Sequence, residues 1–167
     1  MRDADIRAFL TELYETGQQN DAQQQERSKK MLNLEPETAQ FLNILIRSSR
    51  RTQLLEIGTS NGYSTIWLAW AAAVTGGRVI SIDHDAHKQA LADANLRRVG
   101  LREVVDLTCG DATEVVAGLP VHSTASSSML IAPVRQHSWP CSSQRWPQMC
   151  FSWPTMCFRI PTRLLAT

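Results

Sequence analysis

Residues 54–64 read LLEIGTSNGYS, and the way this stretch is read decides the fold. The run LLEI is short and mostly apolar, which suits a buried strand, and Gly58 ends it. Gly58 and Gly62 stand with three residues between them, and YSTIWLAWAAAV follows with the Ala, Leu and Trp content of a buried helix. Strand, glycine turn and helix in that order open a parallel α/β unit.

The rhythm continues toward the C-terminus. GGRVISIDHD is a turn and a second strand ending in acids, and AHKQALADANLRRVG is an amphipathic helix closed by glycine. REVVDLTCGD is a third strand, and ATEVVAGLP is a short helix stopped by Pro120. The alternation predicts a parallel sheet with helices on both faces, right-handed crossovers, and a ligand at the carboxyl ends of the strands. On the N-terminal side, Ile6, Phe9, Leu10, Leu13 and Tyr14 fall on one face of a helix over residues 3–16. GQQNDAQQQERSKK is polar throughout, a linker or a solvated helix. Pro36 opens the next helix, and Phe41, Leu42, Ile44, Leu45 and Ile46 are expected to bury it as far as RSSRR.

Composition bounds the rest. The 167 residues suffice for one domain with a core, and a formal net charge of +1 argues for neither a nucleic-acid partner nor a membrane surface. The polar N-terminus does not read as a signal peptide, and the apolar run near residues 66–74 is too short to span a bilayer, so the expected compartment is the cytoplasm. Four Cys without metal-ligand spacing read as free thiols. The average hides a break, because all 16 acids lie at or before Glu114. Residues 1–120 carry 13 Lys+Arg against them, a net −3. The last 47 residues hold four Arg, three of the four Cys, three of the five Trp and five of the seven Pro.

The glycine turn limits the ligand. A dinucleotide fold wants G-x-G-x-x-G, whose middle glycine lets the backbone approach a pyrophosphate. Here that position is Ser60 and the last is Tyr63, so the loop is a poor pyrophosphate cradle. It suits an amino-acid end, whose carboxylate can meet the helix N-terminus and the Ser64 hydroxyl. Glu56 can hold a cation or orient the loop. Asp83, ending the second strand, stands where an acid bonds both hydroxyls of a ribose. Asp111 and its neighbours in CGDA could frame an adenine. Amino-acid end, ribose and adenine together describe S-adenosylmethionine. Other residues read more plainly: Asp85 as a helix N-cap, His84 and His87 as surface residues, Trp67 and Trp70 as packing, and Cys109 as a small buried strand residue.

LLEIGTSNGYSTIWLA, RVISIDHD and DLTCGDATEVV resemble the S-adenosylmethionine-binding motifs of cation-dependent O-methyltransferases of the bacterial and catechol/caffeoyl-CoA type. The resemblance runs from about residue 31 to residue 120. It implies a Rossmann-like class I methyltransferase fold over residues 31–120, preceded by N-terminal helices in residues 1–30 that help build a homodimer and cover the site. Gly58, Thr59, Gly62, Tyr63 and Ser64 would line the methionine end, with Met31 bordering the methyl-donor side. Asp83 would hold the ribose, Gly110, Asp111 and Ala112 the adenine, and Glu56 would support the loop. The implied reaction is methyl transfer to a small hydroxylated, catechol-like acceptor, with Mg²⁺ or another divalent cation holding neighbouring hydroxyls.

The family's cation ligands are an Asp after the fourth strand and an Asp-Asn pair after the fifth. Beyond residue 120 this chain has neither Asp nor Asn. Its prolines there recur every seven residues from Pro133 to Pro161, which forbids a helix. Joining the third base of each codon to the first two of the next lets Ser127-Ser128-Met129-Leu130-Ile131-Ala132 yield FDADR. Residues 148–160 can likewise yield DVLLVADNVLSD. Both resemble the family's metal motifs, in order. The expectation is a frameshift between Pro120 and Ser126, making residues 121–167 a non-native tail with the C-terminal strands missing or disordered, and no turnover. Two other readings stay open: a non-catalytic S-adenosylmethionine-binding module, and a nicotinamide-dependent oxidoreductase, against which Ser60 argues.

Overall fold

A computed structural model of the chain describes residues 2–118, 128–133 and 156–159. The predicted alternation is present. Helices α1 (Asp3–Gln23) and α2 (Pro36–Ser48) precede β1 (Gln53–Ile57), α3 (Tyr63–Thr75), β2 (Arg78–Asp83), α4 (Ala86–Arg98), β3 (Val105–Cys109) and α5 (Ala112–Gly118). The backbone of β4 (Ser128–Pro133) and β5 (Met156–Arg159) completes a sheet of order β3-β2-β1-β4-β5. β1 pairs parallel with β2 and β4, β2 pairs parallel with β3, and β5 runs antiparallel to β4. The sequence reading leaves the strands after residue 120 missing or disordered. Yet SMLIAP, an uncharged run, lies along β1, whose outer N–H and C=O groups would otherwise be an unpaired edge.

Strand register explains where the site must be. Leu54 is opposite Val79, and Val79 opposite Val105, so this face begins apolar and packs into the core. Two residues further along, the same face carries Glu56 opposite Ser81, and then Asp83 opposite Cys109. The buried face therefore turns from hydrocarbon to hydroxyl and carboxylate at the carboxyl ends of the strands. Leu55, Ile57 and Ile80 point to the other face and are half-buried.

α3 is the central helix. Tyr63 and every residue from Thr65 to Ala72 are buried, as expected of a helix that is apolar on nearly all sides. Trp67 and Trp70 pack as anticipated, with ring centroids 5.5 Å apart and the Trp70 indole N–H donating to Asp3 Oδ1 at 3.2 Å. α1 contributes Ile6, Phe9, Leu10 and Leu13 to this same core. It extends past residue 16 to Gln23, so the polar stretch that follows Tyr14 begins as a solvated helix. Pro36 occupies the first turn of α2 as predicted.

Two expectations are corrected. On α2 the inward stripe is Ala39, Leu42, Asn43 and Ile46, at spacings of three and four residues. Phe41 and Ile44 fall off that stripe and are 53% and 63% exposed. Cys109 is exposed rather than buried, because it is the last residue of edge strand β3 at the open end of the sheet.

Candidate functional site

Gly58 and Gly62 build the loop between β1 and α3. Their φ angles are +99° and +85°, a region that glycine enters without steric cost. At Gly62 a Cβ would also stand 3.1 Å from both Cα and Cβ of Ala92, so the loop and α4 approach more closely than any other residue allows. Ser60 adopts φ +50° without being glycine. Its backbone N–H donates to Asp83 Oδ2 at 2.9 Å and its hydroxyl to the Met31 carbonyl at 2.7 Å, which hold it there.

Three strand ends converge on Asp83. Its side chain accepts from Ser60 N and, through Oδ1, from Asp85 N at 3.1 Å, with His84 Nδ1 3.4 Å away. The Gly110 N–H donates to the Asp83 carbonyl at 3.0 Å, and the Gly58 N–H to the Ile82 carbonyl at 2.7 Å. Asp83, the glycine loop and Gly110 thus form one cluster. Asp111 begins the next helix: its Oδ1 accepts from the backbone N–H groups of Thr113 at 2.7 Å and Glu114 at 3.2 Å. These N–H bonds, Glu114's foremost, hold its carboxyl below the usual range. Ala112 follows it half-buried. Asp85 is the N-cap of α4, accepting from His87 N and Lys88 N, and His84 and His87 are surface residues.

Glu56 is the best-connected acid beneath the loop. It is 1% exposed and accepts from Ser64 Oγ at 2.6 Å, Thr65 Oγ1 at 2.5 Å and Ser81 Oγ at 2.5 Å. Burial pushes its carboxyl up, against the pull of those three hydroxyls. Ser81 Oγ also lies 2.7 Å from Thr59 Oγ1, which accepts from Gln89 Nε2 at 3.0 Å. With the Ser81 proton given to Glu56, Thr59 must donate to Ser81, so protons run in one direction from Gln89 to Glu56. This network ties β1, β2, α3 and α4 together beneath the glycine loop.

The network changes what two other residues offer a ligand. Ser64 has committed its hydroxyl proton to Glu56, the Tyr63 N–H is given to Asn61 Oδ1 at 3.2 Å and Thr65 is fully buried, so toward a carboxylate the first-turn donor is the N–H of half-buried Ser64. Thr59 and Tyr63 are buried as whole residues, with the Tyr63 ring 5.5 Å from that of Tyr14, so their side chains serve the packing beneath the loop. Sequence reading missed Thr65, Ser81 and Gln89. Gln89 did carry a signal, since it shares the inward stripe of α4 with Ala92 and Leu96.

Among the described residues no cluster of three or more His, Cys, Asp or Glu could hold a metal ion. The positions assigned to cation ligands beyond residue 120 lie among residues whose side chains are outside the description. Among the described residues, too, no helix is long and apolar enough to cross a membrane.

Comparison with known proteins identifies the family and the fold. The family model described as O-methyltransferase matches residues 3–132. A catechol O-methyltransferase of Niastella koreensis is 34% identical over 88 residues, covering 53% of this chain and 39% of that protein. One from Mycobacterium tuberculosis is 35% identical over 79 residues, covering 47% and 36%. The chain therefore spans less than two-fifths of the length of these relatives. Among solved structures, the O-methyltransferase of Bacillus cereus in complex with SAH superposes with a TM-score of 0.59 at 21% identity, over 75% of this chain and 66% of that one. The SAH-bound Podospora anserina methyltransferase gives 0.60 at 13% identity, over 79% and 62%. At such identities the superpositions establish the fold: a Rossmann-like class I methyltransferase architecture.

Proposed function

The chain belongs to the O-methyltransferase family, and from that premise we propose that the cluster around Asp83 binds S-adenosylmethionine. The observation that carries this is the meeting of three strand ends: Ser60 N at 2.9 Å from Asp83 Oδ2, and Gly110 N at 3.0 Å from the Asp83 carbonyl. A carboxylate offers about four acceptor positions. Asp83 uses two on backbone N–H groups and keeps capacity for two ribose hydroxyls. Gly58 and Gly62 let backbone approach the methionine end, and the first-turn N–H of half-buried Ser64 would meet its carboxylate. Gly110, Asp111 and Ala112 border the adenine. Glu56 acts from beneath, by fixing the start of α3.

When bound, S-adenosylmethionine supplies an electrophilic methyl group. The acceptor class is a small hydroxylated, catechol-like molecule, as the names of the relatives suggest. A hydroxyl acceptor must be oriented and lose its proton, work for which a divalent cation needs hard oxygen ligands. Beyond residue 120 the sequence offers no Asp, Glu or Asn for it. The chain is therefore expected to bind cofactor weakly and to transfer no methyl group. That same gap favours the second reading, a binding module without catalysis.

Calorimetric titration with S-adenosylmethionine, followed by a methyl-transfer assay on catechol with Mg²⁺, tests both parts. Binding without turnover is expected. Turnover above the uncatalysed rate would overturn the assignment of residues 121–167 as non-native. Failure to bind S-adenosylmethionine, with NADH bound instead, would overturn the cofactor assignment.

A further inference from the structure

Asp21 lies near the end of α1, in the polar stretch to which the sequence assigned no function. Its carboxylate accepts from the backbone N–H groups of Met31 at 2.6 Å and Leu32 at 2.8 Å, across ten and eleven residues. Asn20 Nδ2 donates to Asp21 Oδ1 at 3.0 Å and to the Lys29 carbonyl at 3.1 Å. The segment so gripped passes directly over the glycine loop. The Met31 carbonyl accepts the Ser60 hydroxyl at 2.7 Å, and the Lys30 carbonyl accepts Lys88 Nζ at 2.8 Å. Ser60 N then reaches Asp83 at 2.9 Å. One unbroken hydrogen-bonded chain leads from α1 to the acid at the end of β2.

The backbone is strained at two points along this chain. Leu32 has φ +52° and Ser60 φ +50°, a left-handed conformation that side-chain-bearing residues rarely keep. Such conformations persist only where the surroundings over-determine them. At Leu32 the surrounding hold is the Asp21 carboxylate; at Ser60 it is the Met31 carbonyl and the Asp83 carboxylate.

We propose that Asp21 is a positioning residue: by gripping Met31 and Leu32 it presets Ser60, and through Ser60 the orientation of the Asp83 carboxylate that the ligand meets. The proposal rests on the cofactor reading given above for its consequence in binding, but not for the clamp itself. Asp21→Asn keeps the shape while leaving one oxygen to accept, with an N–H₂ group turned toward a second donor.

The test combines residue-resolved hydrogen exchange of the cofactor-free full chain with calorimetric titration of S-adenosylhomocysteine. In Asp21→Asn the amides of Met31, Leu32 and Ser60 should exchange about tenfold faster, while those of β1 and β2 stay as in the parent. Affinity for S-adenosylhomocysteine should fall about tenfold, the worth of one charge-assisted hydrogen bond. Ser60→Ala, which cuts the chain at its middle, should weaken binding while leaving Met31 and Leu32 slow. The double variant should lose no more affinity than the worse single one. Faster exchange at Met31 and Leu32 with Ser60 unchanged would overturn the proposal, as would losses that add. Should Asp21→Asn fail to fold, Ser60→Ala decides alone: undiminished affinity overturns the linkage. If the parent chain binds no S-adenosylhomocysteine, the cofactor reading falls, and the exchange of Ser60 in Asp21→Asn still decides the clamp.

Discussion

Removing the acceptor at Glu56 should loosen the carboxyl end of the sheet, and the structure sets the size of the effect. Glu56 takes hydroxyl protons from Ser64, Thr65 and Ser81. In Glu56→Ala, half-buried Ser64 can turn to water, but Thr65 and Ser81 are fully buried. Thr65 loses its acceptor, and Ser81 and Thr59 are left with two protons for one contact. Two orphaned buried donors at about 1–3 kcal/mol each put the cost near ~4 kcal/mol. Glu56→Gln keeps an oxygen for Thr65 and Ser81 and asks only Ser64 to turn, so about 1 kcal/mol is expected from the one hydrogen bond lost.

The pH dependence has a definite sign. Burial raises the folded carboxyl above its usual 4.5. Such a group contributes its stability fully below the unfolded value and loses it as pH rises through the folded one. The advantage of the parent over Glu56→Gln should therefore be largest near pH 4 and shrink toward neutrality. Urea unfolding followed by far-ultraviolet circular dichroism at both ends of that range measures it. A cost below about 1 kcal/mol for Glu56→Ala, against the ~4 expected from two orphaned donors, would refute the network as described. A gap to Glu56→Gln that widens with pH would refute the sign.

Gly62→Ala forces a side chain into φ +85° with its Cβ 3.1 Å from Ala92, and should cost about 2 kcal/mol or more in the same assay. Asp85→Ala removes the acceptor for His87 N and Lys88 N at the start of α4, and thermal denaturation should show a loss of about 1 kcal/mol with cofactor affinity little changed. Sequencing the coding DNA should yield codons that read FDADR and VLLVADNVL in the shifted frame; codons unable to give Asp at those junctions would dispose of the frameshift.

The parts of the fold legible in the sequence are those encoded locally. LLEIG followed by GYS announces a strand, a glycine turn and a helix because backbone geometry at Gly58 and Gly62 admits little else. Pro36 and Asp85 mark helix starts for equally local reasons. What the sequence hides is which side of an element meets which partner. Phe41 and Ile44 are as apolar as Leu42 and Ile46, and only the spacing relative to Asn43 and Ala39 puts them outside. Thr65, Ser81 and Gln89 look like ordinary polar residues until the sheet register brings Ser81 beside Glu56 and α4 brings Gln89 over Thr59. The Asp21 clamp spans a polar stretch whose composition suggests only solvent exposure, because its bonds are to backbone N–H groups that every sequence carries.

The central claim is that Asp83 and the loop it holds are a binding site for S-adenosylmethionine. Calorimetric titration of the full chain with S-adenosylhomocysteine, in parallel with Asp83→Ala, tests it most directly. The account predicts a single saturable site in the parent and affinity at least about tenfold lower in the variant, with the circular dichroism of the two alike. No saturable binding by the parent, or equal affinity in the variant, would contradict it.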